Sequence, residues 1–185
     1  MNIDKTIDIV GQFDIQGIRE IVLSLDKEWF DNTQRQDRFP SVQGETVSVF
    51  ISDHDAIDWN GEDNQTIWFD VQPRLLELVR PIIKSLEDKF NGKVGKCLFI
   101  KLPAGKHVYE HTDNGHYLHS VHRCHIPIVT NSSVFFTVDE TTINMQEGTC
   151  YEINNTLPHK VDNDGSTDRI HLLIDIIPLE KIMRV

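Results

Sequence analysis

From Val94 to Ile177 the chain is a succession of short β-branched and aromatic runs, each closed by a turn signal. The strand candidates are residues 94–102, 108–111, 124–129, 134–138, 149–153 and 170–177. Between them fall Pro103-Ala104-Gly105, Asn114-Gly115, Asn131-Ser132, Glu147-Gly148, Asn154-Asn155 and Asp164-Gly165. Many short strands with turn residues at every junction predict an antiparallel barrel or double sheet, because each strand must bury one face against another layer. The expected class is mainly β with flanking helices.

The first half has a different texture. Ile15, Ile18, Ile21, Val22, Leu25 and Trp29 recur at helical spacing, which predicts an amphipathic helix capped by Asp14 and running to about Phe30. A polar stretch over residues 31–38 follows, and Pro40 prevents its continuation as a helix. Residues 46–51 and 66–69 read as strands, separated by an Asp-, Asn- and Gly-rich exposed loop over 52–65. Pro73 opens a second helix whose stripe is Leu75, Leu76, Leu78, Val79, Ile82, Ile83 and Leu86, ending near Phe90 before Asn91-Gly92. The expected organisation is one domain over 1–185, in which a mixed part, 1–92, packs on a β core at 93–178.

A net charge of −11, spread along the chain, repels phosphate backbones and anionic membranes, so a small-molecule or peptide partner is expected rather than nucleic acid. Cys97, Cys124 and Cys150 are odd in number and far apart, which predicts free thiols in a reducing compartment. Residues 1–10 lack the apolar core of a signal peptide, and no stretch has the length of a membrane span, so the expected location is cytoplasmic.

Eight of the nine histidines lie between His107 and His171. Position along the strands sorts them. In His111-Thr112-Asp113 the two outer residues share one face of a strand, so both can grip one ion. His159 follows Asn154-Asn155 and Pro158, where a third ligand can arrive from a later strand. Two imidazoles and a carboxylate are the set that holds non-haem Fe(II) on one triangular face. Arg169, ten residues on, offers a planar fork for a dicarboxylate co-substrate, and Arg123 and His125 share a strand face nearby. Together they predict an oxygenase using O2 and 2-oxoglutarate. Each piece has a plainer reading: an exposed turn pair at His111 and Asp113, an ordinary loop at His159, and an ion pair of Arg169 with Asp164 or Asp175. His107, His116, His119, His122 and His171 read as surface, rim or supporting groups. Trp29, Trp59 and Trp68 read as packing, with Trp59 also able to cover a pocket.

The motifs Leu102-Pro103-Ala104-Gly105, His111-Thr112-Asp113, His122-Arg123-Cys124-His125-Ile126-Pro127-Ile128, Glu147-Gly148, His159-Lys160-Val161-Asp162-Asn163 and Arg169-Ile170-His171-Leu172-Leu173-Ile174-Asp175, in that order, resemble the aspartyl/asparaginyl β-hydroxylase family. These are Fe(II)/2-oxoglutarate dioxygenases on a double-stranded β-helix (jelly-roll, cupin-like), to which bacterial proline 3-hydroxylase is related. The resemblance implies His111, Asp113 and His159 as iron ligands and Arg169, Arg123 and His125 as co-substrate residues. It implies a metal centre that works without a separate acid or base. The implied reaction hydroxylates an unactivated C–H bond of an amino acid, a small amide metabolite or a protein side chain, converting 2-oxoglutarate to succinate and CO2. Within this resemblance the carboxylate of Asp113 argues for hydroxylation over halogenation, whose halide takes that ligand position. The alternative is a metal-binding cupin that is not an oxygenase, such as an isomerase or ligand sensor, which has no need of a buried cation at Arg169.

Overall fold

The computed structural model describes residues 3–54 and 66–182. The strands are β1 (Ile7–Gln12), β2 (Val47–His54), β3 (Thr66–Trp68), β4 (Gly92–Leu102), β5 (His107–His111), β6 (His122–Val129), β7 (Val134–Val138), β8 (Thr141–Ile143), β9 (Thr149–Ile153), β10 (His159–Asn163) and β11 (Arg169–Pro178). The helices are α1 (Gln16–Ser24), α2 (Gln34–Arg38), α3 (Pro40–Gln43), α4 (Pro73–Phe90) and α5 (Leu179–Ile182). One antiparallel sheet has the order β1-β9-β6-β11-β4-β2-β3, and a second, smaller one has the order β5-β10-β7-β8. Two facing antiparallel sheets of this kind form a jelly-roll, the double sheet expected from the turn-punctuated runs.

The larger sheet is buried on both sides. On its outer face α1 and α4 lay Ile18, Val22, Val79 and Ile83 against Phe99, Ile126, Leu172 and Ile174. Each such side chain contributes about 1.5–3 kcal/mol on leaving water. On the inner side Leu102, Val108, Phe136, Tyr151 and Val161 close the space between the sheets. Helix α4 begins with Pro73 at its first turn, where the missing N–H costs nothing. It stops at Asn91, whose φ of 46° is the left-handed cap that satisfies Glu87 O. The three cysteines are buried and free.

Several local expectations change. The first helix ends at Ser24, because Leu25 is extended (φ −71°, ψ 138°), and a 3-10 turn at Lys27–Phe30 follows. Leu25 and Trp29 still reach the core, so the helical spacing recorded which side faces inward and not the continuity of the helix. The expected cap, Asp14, lies one residue before the observed N-cap position at Ile15, and its carboxylate accepts the Gln16 N–H at 3.0 Å. The polar stretch contains the five-residue helix α2, and Pro40 ends it by starting α3. Strands β1, β8 and β10 are not among the strand candidates, although a later strand is expected at His159; β1 adds to the edge of the larger sheet on β9. Residues 52–54 of the expected loop belong to β2, and the rest of it, with Trp59, lies outside the described residues. No helix among the described residues is long and apolar enough to cross a membrane.

Candidate metal centre

Strands β5 and β10 are antiparallel neighbours in which His111 stands directly opposite His159. Their imidazole centroids are 4.3 Å apart. Asp113 lies just past the end of β5, where its backbone N–H donates to Asn155 O at 3.0 Å, so the turn after β9 fixes it. One ligand atom from each of His111, Asp113 and His159 falls within 4.8 Å of the others. His111 Nε2 is 3.9 Å from Asp113 Oδ1, and His159 Nε2 is 3.8 Å from Asp113 Oδ2.

The tautomers follow from the backbone. His111 Nδ1 is 2.8 Å from Tyr109 O and His159 Nδ1 is 2.9 Å from Leu157 O. A carbonyl only accepts, so both Nδ1 atoms carry a proton, and both Nε2 atoms face the Asp113 carboxylate. Such locking is what a metal-binding imidazole requires. Burial, then the neighbouring His111, lowers the His159 pKa, while Asp113 works the other way; the ring is kept neutral. Burial would raise the Asp113 carboxyl, but Arg123, His159 and His111 outweigh it and hold it below the ordinary carboxylate value.

A second cluster underlies the first. Arg123 grips Asp175 with two bonds, Nε to Oδ1 at 2.9 Å and Nη2 to Oδ2 at 2.7 Å, and its Nη1 donates to Asp113 Oδ2. Asp175, fully buried, also accepts the Tyr117 hydroxyl at 3.2 Å. Arg123 is therefore placed between two carboxylates, with its fork committed to Asp175.

Arg169 is 2% exposed and has no carboxylate partner among the described residues. Its Nη2 donates to His171 Nδ1 at 2.7 Å, and its guanidinium lies over the Phe136 ring. The plain reading of Arg169 as a surface ion pair with Asp164 or Asp175 does not describe it. Burial, then the nearby Arg35, pushes its pKa down to about 9. His125 stands close by, and burial followed by Arg169 holds its pKa well below the ordinary value. Arg169 Nε, His125 Nδ1 and His171 Nε2 are buried without hydrogen-bond partners among the described residues.

His111, Asp113, His159, Arg123, His125 and Arg169 all open on one cavity of about 300 Å³. A larger hollow of about 510 Å³, bordered by Ser48, Phe50, Phe69 and Pro73, contains none of them. Sequence reasoning missed Arg35 and Gln43, which also line the site cavity, and it weighed Asp175 only as a partner for Arg169. Asp175 was detectable, since it alternates in phase with Arg169 and His171 on β11. No local pattern marks Arg35. Of the remaining histidines, His116 and His119 are exposed, His107 and His122 are half-buried and paired with Asp162 and Glu152, and His171 is buried beside Arg169.

A family model described as Aspartyl/Asparaginyl beta-hydroxylase matches residues 59–178. A search of the curated proteins finds no match. Among solved structures, the viral collagen prolyl hydroxylase of Paramecium Bursaria Chlorella virus-1, solved as a 2OG complex, is similar with TM-score 0.57 at 9% identity, covering 95% of this chain and 97% of that one. The prolyl hydroxylase from Trichoplax adhaerens, solved with a hypoxia inducible factor oxygen degradation domain peptide fragment, gives TM-score 0.57 at 12% identity over 97% of this chain and 86% of that one. An oxidoreductase of the 2OG-Fe(II) oxygenase family from Burkholderia pseudomallei gives TM-score 0.54 at 14% identity; the match covers 71% of this chain and 66% of that one. At these identities the likeness is one of fold.

Proposed function

The chain belongs to the aspartyl/asparaginyl β-hydroxylase family, and from that membership we propose an Fe(II)- and 2-oxoglutarate-dependent hydroxylase whose metal is held by His111, Asp113 and His159. The observation that carries this reading is the meeting of two features in one cavity: three convergent donor atoms, and a buried guanidinium that no carboxylate answers among the described residues. In this reading residues 1–185 act as one oxygenase domain, with 1–92 packed on a core at 93–178.

The residues fit both absent groups. Two imidazoles whose Nδ1 protons are held by backbone carbonyls and one ionised carboxylate are a facial ligand set for Fe(II). Arg169 Nε and His125 Nδ1 are buried polar atoms that no described residue satisfies, and a carboxylate beside them offers acceptors. When bound, Fe(II) with 2-oxoglutarate and O2 supplies the oxidising chemistry that hydroxylates an unactivated C–H bond, with succinate and CO2 as co-products.

The chain's own residues do the rest. Arg169 binds the far carboxylate of the co-substrate through its fork and fixes its orientation. His125, neutral because of its burial, adds a polar contact beside it without adding charge. Arg123 contributes its charge to the same pocket and, tied to Asp175, donates to the Asp113 carboxylate and orients it. The Tyr109 and Leu157 carbonyls keep the two histidine protons on Nδ1. Phe136, Val161 and Leu173 supply apolar wall, which limits water at the reacting centre. The substrate is an amino acid, a small amide metabolite or a protein side chain of Asp, Asn or Pro type.

Succinate release tests the reading. Purified protein given Fe(II), 2-oxoglutarate and O2 should form succinate above the no-iron control, and Asp113→Ala should not. Equal succinate with and without iron would defeat it.

A further inference from the structure

The cavity holds more positive charge than the proposed chemistry uses. Three guanidinium groups line it, on Arg35, Arg123 and Arg169. Two carboxylates answer them, Asp113 and Asp175, and Arg123 binds both. Lys96, also in the wall, is paired with Asp53 at 3.2 Å. The charges of Fe(II) and of the 2-oxoglutarate dianion cancel. Among the described residues one positive charge is therefore left over when Arg169 holds the co-substrate, in a chain whose net charge is −11. An uncompensated cation in a semi-enclosed, partly apolar site is unfavourable, so it asks for an anion.

Arg35 is that charge. It comes from α2 and is half-buried. Its Nη1 donates to Thr46 Oγ1 at 3.2 Å, and Thr46 Oγ1 in turn donates to Gln43 O at 2.8 Å. The guanidinium is thus positioned, yet no carboxylate pairs with it among the described residues. Burial and the nearby Arg123 push its pKa down to about 10, so it stays charged at neutral pH. Gln43 of α3, whose backbone carbonyl accepts that Thr46 hydroxyl, lines the cavity, and its buried side-chain Oε1 has no hydrogen-bond partner among the described residues. A donor fork held by Thr46, with an acceptor side chain on the residue whose carbonyl Thr46 binds, complements a carboxylate that has an N–H group next to it. The cavity volume of about 300 Å³ is at the small end for ligand sites, which suits a compact co-substrate with a small substrate.

We propose that the substrate is a free α-amino acid, with its carboxylate on Arg35 and its amino group donating to Gln43 Oε1. The inference rests on the hydroxylase reading above and narrows its substrate class. A residue inside a peptide chain has neither an α-carboxylate for Arg35 nor a free amine for Gln43 Oε1, and an acidic side chain would answer only the first, so the pair favours a free amino acid over a protein side chain.

The test uses the anaerobic complex of the full chain with Fe(II) and 2-oxoglutarate, whose visible charge-transfer band responds to a substrate seated near the metal. The probes are the twenty L-amino acids, each with its C-terminal amide and its N-acetyl amide. At least one amino acid should shift the band, with its amide at least ~10-fold weaker, the value of one charge-assisted contact. Arg35→Gln should abolish that preference while moving the 2-oxoglutarate titration less than about threefold, and Arg35→Lys should keep part of it. Should Arg35→Gln fail to fold, the acid–amide comparison on the wild type together with Arg35→Lys decides the matter. The proposal is overturned if acids and amides bind alike, if Arg35→Gln keeps the preference, or if a normal band responds to N-acetyl amides or to nothing. Absence of the band itself is a different result, because it removes the hydroxylase reading rather than the role of Arg35.

Discussion

Along β11 the even-numbered residues Ile170, Leu172, Ile174 and Ile176 pack with the helices on the outer face of the sheet, whereas Arg169, His171 and Asp175 alternate with them. Both sets are at most 2% exposed, so burial does not separate them. Strand β6 repeats the contrast, with Cys124, Ile126 and Ile128 in the helix-covered core and Arg123 and His125 on the cavity. The outer face is complete in itself, since hydrocarbon needs only contact. On β6 and β11 the inner face satisfies part of its polar demand internally, through Arg123 with Asp175 and Arg169 with His171, and leaves Arg169 Nε, His125 Nδ1 and His171 Nε2 without partners among the described residues. Each such atom costs about 1–3 kcal/mol when buried alone. One sheet therefore serves as foundation on one side and as an incomplete binding surface on the other.

The contrast predicts that inner-face changes cost function and outer-face changes cost stability. The largest separation is expected for Asp113→Ala. Loss of a metal ligand removes several kcal/mol of transition-state stabilisation, on the order of a thousandfold in turnover. The midpoint of denaturant unfolding should barely move, because Arg123 keeps Asp175. Next, Leu172→Ala on the opposite face should cost about 2–5 kcal/mol in urea unfolding, with turnover per folded molecule unchanged at low temperature. A Leu172→Ala protein of normal stability but little activity would break the division.

Arg169→Ala sharpens the comparison within the inner face. Deleting a charge-assisted contact of about 1.5–3 kcal/mol should raise the 2-oxoglutarate concentration needed for half-maximal succinate release ~10–100-fold. An unchanged requirement would place the anchor elsewhere. The smallest effect concerns pH. Burial, then Arg169, holds the pKa values of His125 and His171 well below 6.5. The unfolded chain takes up these protons near pH 6.5 and the folded one does not. The stability they support is thus complete above that pH and falls as the pH drops toward the folded values. The slope is about 1.4 kcal/mol per pH unit for each histidine. Urea unfolding of the metal-free protein between pH 7 and 5 should show this loss, and His171→Asn should make the slope shallower by one proton.

Much of this contrast was legible in the sequence, and its limits have physical causes. The run Ile170 to Ile177 announces a strand buried on both sides, and Arg169 at its head announces a charge inside. His111, Asp113 and His159 were found by spacing, although the strand argument for Asp113 was incomplete. The residue lies beyond β5, and Asn155 N-terminal to β10 holds it in place. Strand β1 was missed because its Ile7 and Ile9 alternate with charge over a short, half-buried edge with a register shift at Gly11. Arg35 was missed for a stronger reason: a five-residue helix in a polar stretch carries no periodic signal, and only the tertiary fold brings it to the cavity.

The most direct measurement is the anaerobic visible spectrum of the purified protein with Fe(II), before and after 2-oxoglutarate is added. The account predicts a new metal-to-ligand charge-transfer band that is lost in Asp113→Ala and needs far more 2-oxoglutarate in Arg169→Ala. Bound Fe(II) with no new band on addition of 2-oxoglutarate would contradict it and favour a metal-binding cupin without oxygenase chemistry.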